Sequence, residues 1–398
     1  MPRDTELPFS RTEYADRLAR VRASMADQGI DTLVTVDPSN MAWLTGYDGW
    51  SFYVHQAVVV GPSADPVFWG RKMDAMGALR TCYMAEADII PYPDHYVMST
   101  ERHPMDHLGA LLSARGWASG RIGVELENYY YSAKAHQVLD AALDGQLVDA
   151  TALVNWQRCI KSPAEITFMR RAAKIVEQMH AVARDMIAPG VRKCDVVAEI
   201  QRTAIRGSED AAGTFGGDYA AIVPLVPTGR DATAAHLTWN DKPFEAGFGT
   251  FFEIAGCYRR YHAPCCRTVF LGEPPSEMRR AEDALLEAVE ACVESARPGR
   301  TAGDVARAFY AVLEKHGIQR EGRLGYPIGL SYPPDWGERT FSIRLEDDTE
   351  LKPDMTFHLM PGLWMDEWGL EITEPLLVRE GQAAECLAEV PRALFVKT

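Results

Sequence analysis

Hydrophobic side chains recur every three or four residues near the start of the chain, at Tyr14, Leu18, Val21 and Met25. This spacing predicts an amphipathic helix, and a glycine closes it. Short apolar runs that follow predict strands, with one more helix among them. These segments are residues 30–37, 56–61, 65–70 and 121–126 for the strands and 106–117 for the helix. The alternation of the two periods predicts an α/β domain over residues 1–155.

The second half opens with a charged amphipathic run that begins at Lys161. Ser162 is placed to cap this helix, Pro163 suits its first turn, and Glu165 occupies the capping-box position. Three further helices and five strands are predicted downstream, at residues 189–207, 274–299 and 301–317 and at residues 220–226, 250–256, 267–272, 355–362 and 372–378. Two pairs of helices interleaved with two groups of strands predict an internally duplicated α+β domain over residues 156–398.

Charge and cysteine content narrow the class of protein further. The 398 residues carry a formal net charge of −15, which argues against binding to nucleic acid or to an anionic membrane. No apolar stretch is long enough for a signal peptide or a membrane span. The eight cysteines are scattered, without a CxxC pair or a zinc-finger spacing. These features predict a cytoplasmic protein with reduced thiols.

Five segments of the second half together resemble one family, that of the creatinases, prolidases and aminopeptidases P. They are KSPAEITFMRRAAKI, TFFEIAGCYRRYHAPCCRTVFLG, RLGYPIGLSYPP, LKPDMTFHLMPGLW and GLEITEPLLV, and they occur in the family's order. The resemblance implies a creatinase-type α/β N-terminal domain followed by a pita-bread C-terminal domain with internal pseudo-duplication. It also implies a homodimer.

Most members of this family bind two metal ions through five side chains. By resemblance, those ligand positions fall here on Glu253, Pro264, Tyr326, Met360 and Thr373. A dinuclear hydrolytic site needs oxygen and imidazole donors, and proline, methionine and threonine do not supply that set. We therefore expect no metal ion and no other cofactor.

Three residues are candidates for chemistry without a metal. His236 lies in GRDATAAHLTW, where the family has an active-site histidine, and imidazole suits proton transfer near neutral pH. Glu253 keeps a carboxylate that a cationic substrate would compensate. Tyr326 replaces a histidine ligand, and its hydroxyl could donate or accept a proton. Glu371 and Glu374 are candidate substrate-binding carboxylates, but an unbulged strand would point them to opposite faces.

Further candidates for substrate binding are two histidines and three aromatic residues. His262 adjoins the position of the lost aspartate, His358 precedes Met360, and Trp336 follows the tyrosine segment. In this family, the loop equivalent to GYDGWSFYV reaches the site of the partner subunit, so Trp50 and Phe52 could line it. Aromatic faces suit a delocalised cation.

Carboxylates, a histidine and aromatic walls favour a planar amidinium or guanidinium substrate. Within the family, AAHLTWNDKPF, YHAPCCRTVFLG and the Glu-Ile-Thr-Glu ending are more similar to ectoine hydrolases than to creatinases. The resemblance implies opening of an ectoine-like cyclic amidine to N-acetyl-diaminobutyrate. Arg267 could hold the substrate carboxylate, although this arginine is more often structural. The alternatives are a creatinase-like amidinohydrolase, a metal-dependent lyase or peptidase of the same fold, and a binding module without catalysis.

Overall fold

The computed structural model describes residues 6–398, and the chain divides into two compact units between Arg158 and Cys159. No helix within the described residues is both long and apolar enough to cross a membrane. All eight cysteines fall in the same range and are free thiols.

The first unit is built on one six-stranded sheet. Its strands are β1 Thr32–Thr35, β2 Ala57–Val60, β3 Val67–Arg71, β4 Ile89–Tyr92, β5 Arg121–Val124 and β6 Gln146–Asp149. Its helices are α1 Arg11–Asp27, α2 Pro38–Thr45, α3 Lys72–Thr81, α4 Pro104–Ala114, α5 Ala133–Ala141 and α6 Leu153–Arg158. The strand order is β4-β3-β2-β1-β5-β6. Strand β2 is antiparallel to both of its neighbours, and the other three pairs of strands are parallel. This mixed sheet and its helices confirm the prediction of an α/β first domain.

The second unit contains four helices and eleven strands within the described residues. The helices are α7 Pro163–Met186, α8 Lys193–Arg206, α9 Ser276–Ser295 and α10 Ala302–Lys315. The strands are β7 Ser208–Asp210, β8 Gly213–Phe215, β9 Gly249–Tyr258, β10 Tyr261–Leu271, β11 Gly325–Pro327, β12 Thr356–Leu359, β13 Gly362–Trp364, β14 Gly369–Glu371, β15 Glu374–Leu377, β16 Glu385–Cys386 and β17 Phe395–Lys397. α7 packs against α8, and α9 packs against α10, as the predicted duplication requires. The prediction of an α+β second domain is confirmed.

Two sheets of the second unit carry the positions singled out by the sequence. One has the strand order β17-β10-β9, and the other has the order β11-β12-β15-β16. The short hairpin β13-β14 lies beside them, and an isolated bridge joins Arg267 to Ile372. The predicted strand over 220–226 is wrong, because this segment makes only an isolated bridge between Leu225 and Glu253.

The start of α7 follows from its sequence. Ser162 accepts a hydrogen bond from the backbone N–H of Glu165, and the Glu165 carboxylate accepts one from the backbone N–H of Ser162. The predicted capping box is therefore confirmed. Farther along, α7 lies directly on β9 at Gly256, where a Cβ atom would stand 2.0 Å from the carbonyl oxygen of Ala172. Only glycine allows this approach, which covers one face of the hairpin β9–β10 and leaves the other for a site.

Candidate active site

Strand alternation decides which side chains of the hairpin β9–β10 can share a site. Gly256 faces α7, so Glu253 points to the opposite face of β9. Glu253 is paired with Cys266 across the hairpin, and Phe252 is paired with Arg267. The free face therefore carries Glu253 and Cys266, whereas Arg267 faces α7.

Glu253 and Glu371 form a buried carboxyl pair at the centre of this face. Glu253 is 7 % exposed and Glu371 is 3 % exposed. Burial raises the pKa of Glu253 well above its ordinary value, and the negative charge of Glu371 raises it further. Burial also raises the pKa of Glu371, to about 7. The pair thus holds a proton at neutral pH, because two adjacent carboxylates in a low dielectric do not both ionise.

The surroundings of the two carboxyls differ, and this places the proton. Glu371 accepts a hydrogen bond of 2.8 Å from the indole Nε1 of Trp364, and the Cys266 thiol and the Arg320 charge also lower its pKa. Within residues 6–398, the structure records no such donor to Glu253. We therefore assign the carboxylate form to Glu371 and the protonated form to Glu253.

Tyr326 lies next to this pair and is held by two ring nitrogens. Its hydroxyl accepts a hydrogen bond of 2.7 Å from Trp336 Nε1 and lies 3.4 Å from His358 Nδ1. Burial, and then the charge of Glu253, raises the pKa of Tyr326 far above its ordinary value, so that the group remains a neutral phenol. His358 Nε2 lies 2.7 Å from the Thr373 hydroxyl. The structure thus brings Trp336 and His358 together around the Tyr326 hydroxyl, Tyr326 is near enough to Glu253 to feel its charge, and His358 is fully buried.

Glu374 and Arg267 are not available to a substrate. All five N–H groups of Arg267 have acceptors: the carbonyls of Cys266, Thr373, Val390 and Pro391, and the carboxylate of Glu374. The Arg267–Glu374 ion pair is 2.6 Å long and fully buried, and the same Glu374 oxygen accepts from Arg392 at 2.9 Å. The prediction that Glu374 binds substrate is wrong, because strand alternation turns it into this ion pair. The prediction that Arg267 binds the substrate carboxylate is also wrong, because all of its N–H groups already have acceptors within the chain.

His262 is on the free face of β10 but has a structural bond. Its ring Nε2 accepts a hydrogen bond of 2.9 Å from the backbone N–H of Ala221, and its ring lies 6.4 Å from that of Trp336. Burial lowers the pKa of His262 to about 4, so the ring is neutral. This histidine positions the segment before Leu225 against the sheet, and a direct role in binding substrate stays a prediction.

His236 occupies an exposed turn after a short 3₁₀ helix, Gly229–Thr233. The flanking chain is anchored beside Glu253, because Leu225 bridges Glu253 and Val226 N–H donates to the carbonyl of Leu237. The structure records no hydrogen bond of the His236 ring among the described residues. Its position at the rim of the carboxyl pair is compatible with the predicted role but leaves that role untested.

Trp50 and Phe52 belong to the first unit and stay a prediction as well. Trp50 is 57 % exposed, and its ring contacts Phe52, which in turn contacts Tyr130.

Two arginines near the carboxyl pair were missed by the sequence analysis. The guanidinium of Arg320 stacks on Trp364, and its charge acts on Glu371. The guanidinium of Arg323 lies 4.6 Å from the ring centre of Tyr326, and within residues 6–398 the structure records no acceptor for its N–H groups. Both arginines line a groove with a volume of about 1030 Å³. The density of basic residues in the segment before Tyr326 was the signal that could have found them.

The donor set at the family's metal positions does not fit a dinuclear metal centre. Among residues 6–398 no three His, Cys, Asp or Glu side chains come together in a way that could hold a metal ion. Glu253 and Glu371 are carboxyls, but both ring nitrogens of His358 already face hydroxyl groups, those of Tyr326 and Thr373.

Comparison with known proteins shows the same two-part organisation. The model of "Metallopeptidase family M24" matches residues 167–380, and that of the "Creatinase/Prolidase N-terminal domain" matches residues 17–160. A protein of Halomonas elongata named ectoine hydrolase is 58 % identical over 98 % of this chain and 99 % of its own. An uncharacterized hydrolase/peptidase of Sinorhizobium fredii is 41 % identical over 98 % and 99 %.

The fold is shared with solved structures of much lower identity. The dipeptidase PepE from Mycobacterium ulcerans superposes with a TM-score of 0.79 at 23 % identity, covering 98 % of this chain and 99 % of that one. The family-model matches and the full-length relatives agree in domain order and extent. This chain belongs to metallopeptidase family M24, with a creatinase/prolidase N-terminal domain.

Proposed function

We propose that this protein is an ectoine hydrolase that opens the cyclic amidine ring of ectoine to N-acetyl-diaminobutyrate without a metal ion. The observation that carries the proposal is the buried pair Glu253–Glu371, which stands in the site with neutral hydrogen-bonding groups around it. The 58 % identity to the Halomonas protein supports the choice of substrate.

The charge of the pair matches a cyclic amidinium. A site with one carboxylate and one protonated carboxyl has room for one compensating cation. A planar amidinium offers two N–H groups to carboxylate oxygens, and such charge-assisted bonds are strong where water is excluded. When the cation enters, its charge lowers the pKa of both carboxyls, and Glu253 can then release its proton. Glu371 then binds the amidinium as an ion-pair partner, and Glu253 is left as a base.

The reaction adds one water across a carbon–nitrogen bond. Glu253 takes a proton from water as the water oxygen bonds to the ring carbon between the two nitrogens. The electrons of the carbon–nitrogen double bond move to nitrogen and give a tetrahedral carbon. As one ring C–N bond breaks, the departing nitrogen takes up a proton, and the hydroxyl on the tetrahedral carbon becomes the amide carbonyl by releasing its own proton to Glu253 or to solvent. The product carries one new amide and one new amine.

Two groups are candidates for the proton on the departing nitrogen. His236 is the first, since its imidazole has two ring nitrogens that can donate or accept a proton and it lies on an exposed turn whose flanking segment bridges Glu253. Glu253 is the second, because it holds the proton that water has just lost. Replacement of His236 distinguishes these two groups.

We propose Arg323 as the group that binds the carboxylate of ectoine. Arg267 has no free N–H, whereas Arg323 lies against Tyr326 with its guanidinium open to solvent. A guanidinium at the rim would hold the carboxylate while the amidine ring enters between the two glutamates. This would orient the ring relative to Glu253.

We also propose a homodimer in which Trp50 and Phe52 of one subunit reach the site of the other. The exposure of Trp50 supports an interface role for this loop. Light scattering would give the subunit number, and Trp50→Ala should reduce ectoine turnover without changing the melting temperature of the chain. A monomer with full activity would contradict the proposal.

The function is tested directly with purified protein and ectoine. Proton NMR follows the ring methyl signal as it is replaced by the acetamide methyl of the product. The same assay is repeated after treatment with a chelator and removal of metal ions. Absence of ring opening under all conditions would overturn the proposed function, and activity that needs added metal would overturn only the metal-free mechanism.

A further inference from the structure

A chain of hydrogen bonds connects the backbone of β10 to the hydroxyl of Tyr326. The backbone N–H of Cys266 donates to Thr373 Oγ1 at 2.7 Å, and Thr373 Oγ1 lies 2.7 Å from His358 Nε2. His358 Nδ1 lies 3.4 Å from the Tyr326 hydroxyl, which also accepts from Trp336 Nε1 at 2.7 Å. Thr373, His358 and Trp336 are each at most 1 % exposed.

The hydrogens available to these groups decide which atom donates and which accepts in each hydrogen bond. Thr373 Oγ1 already accepts one hydrogen bond from the Cys266 backbone, so its own hydrogen is free to be donated to His358 Nε2. The neutral ring then carries its hydrogen on Nδ1 and donates it to Tyr326. In the opposite arrangement, Nε2–H would donate to Thr373, and the threonine hydrogen would be left buried without an acceptor.

The favoured direction has a consequence at Tyr326. Its oxygen accepts from Trp336 and from His358, so its own hydrogen remains to be donated into the site, where Glu253 lies. His358 has to be neutral for this arrangement, and burial together with Arg267 and Arg323 lowers its pKa to about 3. The ring is therefore neutral near neutral pH, and the direction of the chain is retained there.

We propose that Thr373 is a positioning residue that acts through His358 to fix the Tyr326 hydroxyl as a hydrogen-bond donor to the oxygen developing on the tetrahedral ring carbon. This inference rests on the proposed function. It assigns Tyr326 an electrostatic role without proton transfer, since the phenol keeps its proton. Donors prearranged toward a developing oxyanion commonly contribute on the order of a hundred- to a thousand-fold to turnover.

The test is a double-mutant cycle on ectoine turnover. Tyr326→Phe should lower kcat by about a hundred-fold with a much smaller change in KM. Thr373→Val should lower kcat by at least about ten-fold in the wild-type background, and by less than about two-fold when Tyr326 is already phenylalanine. Thr373→Ser keeps the hydroxyl and should restore most of the turnover.

The possible outcomes distinguish failure of the inference about Thr373 from failure of the proposed function. Equal losses from Thr373→Val in both backgrounds would overturn the inference, because Thr373 would then act independently of Tyr326. An unaffected Tyr326→Phe variant would overturn it as well, while leaving the proposed function intact. Should Thr373→Val fail to fold, Thr373→Ala and Thr373→Ser are compared in both backgrounds with the same criteria. Lack of ring opening by the wild-type enzyme would instead refute the proposed function.

Discussion

The replacement Glu371→Gln tests the buried carboxyl pair through the pH dependence of stability. Folding raises the pKa of Glu371 from 4.5 to about 7, mainly through burial. A raised pKa favours the protonated native state, so its stability is complete below pH 4.5 and is lost as the pH rises through 7. At about 1.4 kcal/mol per pH unit, this loss amounts to about 3 kcal/mol above pH 7. Glutamine keeps the shape and the acceptor for Trp364 but cannot ionise.

We therefore expect Glu371→Gln to match the wild type at pH 4.5 and to be more stable at pH 8. The change at Glu371 alone contributes about 3 kcal/mol, which corresponds to roughly 6–12 °C in melting temperature if the second unit melts cooperatively. Removing the charge of Glu371 also lowers the pKa of Glu253, which adds to the gain. Ectoine turnover should fall at least about a hundred-fold, because the carboxylate that pairs with the amidinium is gone.

Glu374→Gln is the matched control, three residues along the same chain segment. It leaves the charge of fully buried Arg267 without its partner, and breaking such a pair costs about 3–5 kcal/mol. Its destabilisation should be present at both pH values. Calorimetric scans of the three proteins at pH 4.5 and 8 decide the matter. A Glu371→Gln variant whose stability relative to wild type is the same at both pH values would refute the assignment of the shared proton.

Four further outcomes are expected. Glu253→Gln should abolish ring opening, as followed by NMR, while the melting temperature at pH 8 stays level or rises; near-normal turnover would show that Glu253 is only structural. His236→Ala should lower kcat by about a hundred- to ten-thousand-fold with little change in KM if it protonates the departing nitrogen; if only KM changes, Glu253 is the remaining acid. Elemental analysis of active enzyme should find no stoichiometric transition metal, and two ions per chain with activity lost on chelation would contradict this. Arg323→Ala should raise KM for ectoine at least about ten-fold yet leave KM for the same ring without its carboxylate unchanged, and equal effects on both substrates would exclude Arg323 as the carboxylate site.

Local signals in the sequence were sufficient for much of the fold. The capping box at Ser162 and Glu165 and the apolar spacing of the first helix depend on neighbours along the chain, so the sequence alone predicts them. The prediction of a strand over 220–226 failed because this apolar segment lies beside β9 without regular strand pairing and makes only an isolated bridge to it. Helix α2 was overlooked, although Asp37 before Pro38 is a clear capping signal.

The site was predicted in composition more than in arrangement. Alternation indicated that Glu371 and Glu374 point apart, but the choice between them depended on the pairing of β10 with the segment at Ile372, which is a long-range contact. Arg267 follows Cys266 on β10, and neighbouring residues of a strand point to opposite faces. The pairing of Cys266 with Glu253 would therefore have shown that Arg267 points away from Glu253. The indole of Trp364 and the guanidinium of Arg320 interact with Glu371 from separate parts of the chain, and no short sequence motif predicts these interactions.

All five N–H groups of Arg267 are bonded to acceptors within the chain, and these bonds fix the neighbouring segments in place. This one guanidinium ties β10 to Thr373 and Glu374 and to the carbonyls of Val390 and Pro391. Three distant stretches of chain are thus held together by a permanent internal cation rather than by anything that arrives from outside. The segments bound to Arg267 are thus preorganised, so binding of a ligand does not require them to become ordered.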